Sequence, residues 1–232
     1  MKRFLVAVLM SGLFAAAAHA EGDAVLKASR GHVSVREAST GKWIRPQPGY
    51  VLNRNDQVIT GRNGAVRVEF PNGATMLVKE LSRFSFRVDR WGKIVSFRTG
   101  EFLVGLRNKL TGADRFRVKT PVAVAAIQGT VFWGKSDATA GSQFACFTGH
   151  VEVWAKGKNI VLQPGDKTSV APQAQPAEIT ANDIPMTYAQ KFAIDGDLAG
   201  IDQQITEESA NPAAPAAPAE PAAPAYPGDG AQ

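Results

Sequence analysis

A regular alternation of apolar and polar residues constrains the fold of this 232-residue chain more than any other feature. The alternation is clear in four stretches, at residues 65–70, 83–88, 101–106 and 151–154. Turn signals separate such stretches, and Pro71-Asn72-Gly73 is an example in which Asn-Gly suits positive φ. Regularly spaced short strands of this kind predict an all-β domain. Side chains alternate across a strand, so Val66, Val68 and Phe70 are expected on one buried face.

A weak internal repeat occurs near the two ends of the β region. The first copy contains Gly31-His32-Val33-Ser34-Val35, then Gly41 and Gln47-Pro48-Gly49; the second contains Gly149-His150-Val151-Glu152-Val153, then Gly157 and Gln163-Pro164-Gly165. The interval from the second glycine to the glutamine is the same in both copies. The recurrence predicts equivalent hairpins at the two ends of a layered β structure.

The segment 118–132 has a distinctive pattern. A strand ends at Thr120-Pro121, because proline lacks an amide hydrogen and holds the preceding residue extended. An apolar run without alternation follows, as expected for a segment covered on both sides. It closes at Gly129-Thr130, before a second strand that contains Phe132. From the residues alone, this is a buried structural strand with a turn at each end.

The same five residues, Thr120, Pro121, Gly129, Thr130 and Phe132, resemble the signature of the FecR-domain family. Gln128 stands where the family usually has an arginine, and glutamine lacks the charged guanidinium fork. The resemblance extends over about residues 24–170. It implies an extracytoplasmic, non-enzymatic interaction module that needs no cofactor, and a solenoid-like stack of short strands in two layers. From the pattern alone, a β-sandwich remains the alternative.

The N-terminus predicts export. Lys2-Arg3 precedes an apolar stretch, and Ala18-His19-Ala20 forms a small-x-small cleavage site, so residues 1–20 are expected to be a cleaved signal peptide. An uncleaved anchor is the alternative. No later segment is long and apolar enough to predict a membrane span, so we expect a periplasmic or secreted protein. The one cysteine, Cys146, cannot form an intrachain disulfide and is expected to be a buried thiol on the same strand face as Phe144.

Charge is distributed unevenly along the chain. Residues 79–119 contain eleven basic and four acidic residues, whereas residues 178–232 contain nine acidic residues and Lys191. Five basic side chains fall opposite the apolar positions of their strands: Arg83, Arg87, Arg98, Arg117 and Lys119. If those strands are neighbours, they form a basic ladder on one solvent face. Such a face can serve solubility alone, or it can bind a polyanion, an acidic partner or the acidic C-terminal region.

The C-terminal region differs in kind. After a β domain at residues 21–175, residues 176–210 are predicted to be an acidic helical segment, starting near Asp183 and carrying an apolar stripe that docks on the β body. A calcium site at Asp195, Asp197 and Asp202 would lack the ligand spacing of a calcium hand, so no metal is expected. Residues 211–232 are a Pro/Ala-rich tail with proline at every third position up to Pro227. This spacing predicts an extended polyproline II spacer or recognition segment.

The sequence constrains the function of this chain less than it constrains the fold. No nucleophile elbow, zinc-binding helix motif or phosphate-binding loop occurs, and His32 and His150 are expected to be exposed structural residues. We therefore expect a non-enzymatic module that binds protein or envelope glycan, and no nucleic acid. An envelope structural protein that binds glycan or lipopolysaccharide through its basic face is the first alternative. A hydrolase with an unidentified carboxylate pair is the second.

Overall fold

The computed structural model describes residues 24–89, 92–106 and 115–184. These residues contain seventeen strands and no helix, which confirms the predicted all-β class. The predicted signal peptide, residues 185–210 of the predicted helical segment and the predicted tail lie outside the described residues. The strands are β1 Ala24–Arg30, β2 Val33–Arg36, β3 Trp43–Ile44, β4 Tyr50–Leu52, β5 Gln57–Thr60, β6 Ala65–Glu69, β7 Ala74–Val78, β8 Arg83–Asp89, β9 Gly92–Leu106, β10 Arg115–Lys119, β11 Val124–Ile127, β12 Val131–Asp137, β13 Gly141–Thr148, β14 Val151–Ala155, β15 Lys158–Leu162, β16 Asp166–Val170 and β17 Thr180–Ala181.

The strands form two packed layers that share β9. The front layer has the order β3-β2-β5-β8-β9-β10-β11-β14-β15. The back layer has the order β4-β1-β6-β7-β9-β12-β13-β16-β17. Every pairing is antiparallel except that of β9 with β10, which is parallel. The chain thus adds strands to both layers as it proceeds, which gives a two-layer stack.

The core lies between the layers and is built from the inward positions of each strand. Val66, Val68 and Phe70 all belong to it, as the alternation predicted. A series of phenylalanine contacts crosses the interior, with Phe97 and Phe102 at 4.5 Å and Phe102 and Phe132 at 5.7 Å between ring centroids. Burial of such rings is a major source of stability in a domain of this size.

β9 passes from the front layer to the back layer at Gly100. Thr99 pairs with Arg83 of β8 in front, whereas Gly100 pairs with Ser136 of β12 behind. Gly100 has φ +113°, and a Cβ added there would lie 1.9 Å from the Ser82 Oγ. Only glycine adopts this backbone conformation without strain and also allows so close an approach. The crossing therefore depends on the absence of a side chain at position 100.

The predicted end hairpins are confirmed. The β2–β3 and β14–β15 pairs lie at opposite ends of the front layer, and each repeat then returns to the back layer. The return is anchored in the same way in both copies. The Gly49 N–H donates to the Leu26 carbonyl at 2.8 Å, and the Gly165 N–H donates to the Cys146 carbonyl at 3.0 Å. The internal repeat therefore encodes two equivalent corners.

The sheet continues past residue 175, where the sequence pattern placed the end of the β domain. Thr180–Ala181 forms β17, which pairs with the first residues of β16. The Asn182 N–H donates to the Gly165 carbonyl at 2.7 Å, and the Lys167 ammonium contacts the Asp183 carboxylate at 2.8 Å. That contact lowers the pKa of Asp183. An edge strand of two residues carries too weak a pattern to be found from sequence.

Candidate binding surfaces

The signature segment forms a tight connection between β10 and β11. The buried Thr120 hydroxyl donates to the Ala123 carbonyl and accepts from the Ala123 N–H, both at 3.1 Å, while the Thr120 N–H donates to the same carbonyl at 2.8 Å. Pro121 is exposed at the tip, where no amide hydrogen is required. The Thr-Pro pair therefore closes this hairpin.

The second half of the signature joins the two layers. Thr130 is buried and donates its hydroxyl to the His150 carbonyl at 3.0 Å. Gly129 and Gly149 approach closely, since a Cβ at position 149 would lie 2.5 Å from the Gly129 carbonyl oxygen. Phe132 is fully buried in the core. These contacts fit the structural interpretation of the signature, and among its five residues only Pro121 is exposed.

The predicted basic residues lie on three adjacent strands of the front layer, β8, β9 and β10, and share its outer face. Arg83, Arg87, Arg98 and Lys119 are exposed, and we call these four residues the cationic face. The side chains of these four residues have no hydrogen-bond or ion-pair partner among the described residues. Four unpaired charges are free to interact with an anion, and whether they do so stays a prediction.

Arg117 differs from the rest of the predicted ladder. Its register places it on the same outward row, between Ile94 of β9 and Ala126 of β11, but it is only 5% exposed. The row continues to Glu152 of β14. Burial of an outward side chain depends on what neighbouring strands place around it, and the pattern of a single strand does not contain that information. Arg117 is therefore part of the packed surface layer and is not a freely accessible cation.

Two tryptophans, which were not among the predicted binding residues, extend this face. Trp43 of β3 is 51% exposed at one end of the front layer, and Trp154 of β14 is half-buried near the other. Each occupies an outward position of one of the two end hairpins. The internal repeat was the signal that could have identified them, because it marks which strand positions alternate away from the core.

β15 forms one edge of the front layer. The two-residue turn at Lys156 and Gly157 has φ values of +46° and +75°, typical of a type I′ hairpin. In such a hairpin the flanking pair, Ala155 and Lys158, is hydrogen-bonded, so every second residue of β15 bonds to β14. The backbone groups of Asn159 and Val161 then point out of the sheet. Val161 is 39% exposed, which leaves an open strand edge with an apolar side chain.

The outer face of the back layer has a polar depression of about 250 Å³ near the end of the described chain. The Trp133 indole N–H donates to the Glu101 carboxylate at 2.8 Å, and the Lys79 ammonium lies 3.5 Å from the same carboxylate. Asp183 and Ile184 line the depression as well. The chain therefore reaches Ile184 against the back layer, on the side opposite the cationic face.

Cys146, Asp56 and Tyr50 are ionisable groups that make contacts within the fold. Cys146 is buried, as predicted, with its Sγ 3.3 Å from the Thr148 carbonyl oxygen. The buried Asp56 carboxylate accepts from the Ala38 and Asn53 N–H groups at 2.8 and 2.9 Å. Burial, with the nearby Asp56 and Glu37 carboxylates, raises the pKa of Tyr50 to about 12. His32 and His150 are exposed at the equivalent turns of the two repeats.

The fold and these surfaces define a two-layer β-module with an open edge and a cationic face. Comparison with known proteins gives a family match. Residues 56–152 match the model of the family described as FecR protein, as the resemblance of the signature residues predicted. No curated protein sequence matches the chain. The part of the chain that the structure describes contains no helix capable of crossing a bilayer.

Two solved structures of a candidate anti-sigma factor from Parabacteroides distasonis ATCC 8503 resemble the chain. One is 16% identical with a TM-score of 0.51, covering 58% of this chain and 64% of the other. The second is 17% identical with a TM-score of 0.48, covering 55% and 60%. The chain thus spans less than two thirds of the length of these relatives. The first likeness supports the FecR-like β fold and nothing about activity.

Proposed function

We propose that this chain is an exported, non-enzymatic regulatory module that binds a protein partner in the cell envelope through the open edge of β15. The FecR domain and the fold shared with a candidate anti-sigma factor support the regulatory class. The observation that carries the binding is the pair of outward-facing backbone groups at Asn159 and Val161. An open edge of this kind can accept an added strand from another protein.

The β15 edge also offers side-chain selection. Asn159 and Val161 are exposed on the outer face, while Leu162 is buried in the core. An added strand would therefore gain main-chain hydrogen bonds from β15 and an apolar contact with Val161. The opposite edge of the front layer, β3, has two residues and offers fewer backbone groups. The longer edge is the better template for a partner.

Substitution of Val161 by proline tests this site. Proline removes the outward N–H and is tolerated on edge strands, so we expect the fold to persist while partner binding falls at least about tenfold. Val161→Thr is the matched control, because threonine retains the N–H and the β-branched shape. The measurement is in-cell photo-crosslinking of the full chain from position 159, with position 135 of the back layer as a second control.

The expected result is a defined protein adduct from position 159 that disappears in Val161→Pro, persists in Val161→Thr and is absent from position 135. An adduct that survives Val161→Pro unchanged would contradict binding by strand addition. Circular dichroism of the purified variants separates loss of the edge from loss of the fold.

Export is tested separately. We expect the mature chain to begin at Glu21, because Ala18-His19-Ala20 provides the small residues that signal peptidase requires. Mass spectrometry of the protein from the periplasmic fraction measures the N-terminus directly. Replacing Ala18 and Ala20 together with leucine should leave the uncleaved precursor attached to the membrane. A cytoplasmic protein that retains residues 1–20 would contradict export.

A second candidate function is that of an envelope structural protein that binds glycan or lipopolysaccharide through the cationic face. The specific observation in its favour is that four exposed cations lie together without partners among the described residues. Lipopolysaccharide phosphates and acidic glycans are the polyanions available to an exported protein. This candidate is independent of the β15 edge, and both surfaces can operate in one molecule.

A further inference from the structure

The outer face of the front layer contains one continuous row of residues that crosses the strands at right angles. The registers connect Trp43, Arg36, Gln57, Ser85, Ser96, Lys119, Val124 and Trp154 in that order. Seven strand-to-strand steps of about 4.8 Å separate the two tryptophans, a distance of about 34 Å. The row therefore forms a long track that begins and ends on an indole ring.

In the middle of this track the side chains are short, and exposed arginines lie on both sides of them. Ser85 and Ser96 are small, half-buried residues at its centre. Arg83 and Arg98 lie on one side of them and Arg87 lies on the other. Arg83 and Arg87 are four residues apart on one strand, so their Cα atoms are about 14 Å apart. A chain of anionic groups lying along the serines would meet guanidinium groups from both sides.

The net charge of the face is strongly positive. Among its outward positions with described side chains, Glu152 carries the one negative charge, and it lies on the row of the buried Arg117. Two cations belong to the track itself: Lys119 lies near its middle, and Arg36 lies next to Trp43. Within the described part of the chain, the Arg36 guanidinium donates only to the nearby Gly41 carbonyl, at 3.2 Å, and so keeps its charge available. A negatively charged occupant is complementary along the whole track.

The two tryptophans add a requirement that charge alone does not. An indole presents a flat apolar surface with one polar group, and it packs well on the apolar face of a sugar ring. A ligand that satisfies both the arginines and the tryptophans combines anionic groups with rings that present an apolar face along a linear chain. The chain's own acidic C-terminal region is a less suitable occupant, since the described chain reaches Ile184 against the opposite layer.

We propose that the track from Trp43 to Trp154 binds a linear anionic polysaccharide, whose acidic groups contact Arg83, Arg87 and Arg98 and whose rings stack on the tryptophans. This inference rests on the second candidate function and specifies its ligand. It differs from a general affinity for polyanions, because it requires sugar rings as well as charge.

Two probes separate these requirements in binding measurements on the mature full-length protein. Oligogalacturonate has sugar rings with one carboxylate each, and inorganic polyphosphate has negative charge without rings. The triple variant Arg83→Glu, Arg87→Glu and Arg98→Glu should bind both probes at least about tenfold more weakly, with a smaller dependence on salt. The matched control is Arg30→Glu, Arg62→Glu and Lys135→Glu, which makes the same charge change at exposed positions off this face and should stay within about twofold.

Trp43→Ala tests ring stacking. We expect about threefold to tenfold weaker binding of oligogalacturonate and unchanged binding of polyphosphate. If Trp43→Ala changes neither probe or both equally, the sugar-binding inference is wrong, and the triple variant still reports on the cationic face. If the wild-type protein binds polyphosphate but not oligogalacturonate, the inference is also wrong. Val161→Pro should leave both probes unaffected, so failure of the β15 proposal is distinguishable.

Discussion

Gly100→Ala is expected to destabilise the protein by about 3 kcal/mol or more, because two separate costs combine at the β9 crossing. A side chain at φ +113° is strained, which costs on the order of 1–3 kcal/mol. The added Cβ would also lie 1.9 Å from the Ser82 Oγ and 2.6 Å from the Ser82 Cα, so backbone must move. Overpacking of this kind typically costs a further ~1–3 kcal/mol. Denaturant unfolding of the purified variant measures the total.

Gly157→Ala is the matched control for this substitution. Gly157 also has a positive φ, of +75°, but an added Cβ would meet nothing within 4 Å. Its cost is therefore conformational alone, about 1–2 kcal/mol. The difference between the two variants isolates the overlap with Ser82. Equal destabilisation of both variants would show that the crossing at Gly100 is not as close-packed as the structure indicates.

Hydrogen bonds hold Ser82 in place, so its backbone cannot move away easily from a side chain at position 100. The Ser82 N–H donates to the Thr60 hydroxyl at 2.9 Å, and its own hydroxyl accepts from the Glu101 N–H at 3.3 Å. The Thr60 hydroxyl in turn donates to the Lys79 carbonyl at 2.6 Å. Displacing Ser82 would break buried hydrogen bonds on both layers, and unsatisfied buried groups are costly.

Phe102→Ala should lower the free energy of unfolding by about 3–5 kcal/mol, the usual cost of truncating a fully buried phenylalanine. Phe102 is fully buried and contacts the rings of both Phe97 and Phe132. It is the first inward-facing ring after the crossing, so the cavity would open between the two layers. Trp43→Ala, which truncates a half-exposed aromatic residue, is the control and should change stability by less than about 0.5 kcal/mol.

A double-mutant cycle with Gly134 sharpens this prediction. Gly134 pairs directly with Phe102 across the back layer, and an added Cβ would lie 2.2 Å from the Phe102 ring. Gly134→Ala alone should therefore be destabilising, whereas in the Phe102→Ala background the methyl group enters the cavity. The double variant should be more stable than the sum of the single effects by about 1 kcal/mol or more. Strict additivity would mean that the ring does not lie over Gly134.

Local sequence patterns were sufficient to predict several features of this fold. The alternation identified Val66, Val68 and Phe70 as core residues, and the repeat identified the two end hairpins, because both signals depend on residues a few positions apart. The Thr120-Pro121 turn was predictable for the same reason, since proline restricts its own backbone and that of its neighbour. The signature residues also carried the resemblance to the FecR-domain family, whose model matches residues 56–152.

The sequence pattern predicted which side of its own strand each basic residue occupies. It could not predict that these strands lie side by side and form one cationic face. Whether Arg83, Arg98 and Lys119 share a surface depends on β8, β9 and β10 being neighbours, and the parallel pairing of β9 with β10 is a long-range choice. The track between Trp43 and Trp154 depends on seven successive registers. Such registers are set by the packing of whole layers, and a shift of one residue would turn every side chain to the opposite face.

The all-β class, the core positions and the two repeated corners can be read from the amino-acid sequence, because each follows from short-range periodicity and turn chemistry. The crossing of β9 between layers at Gly100, the open edge at β15 and the burial of Arg117 emerge from the folded arrangement. These outcomes depend on which strands become neighbours, and that choice follows from the joint burial of side chains that are distant in the chain.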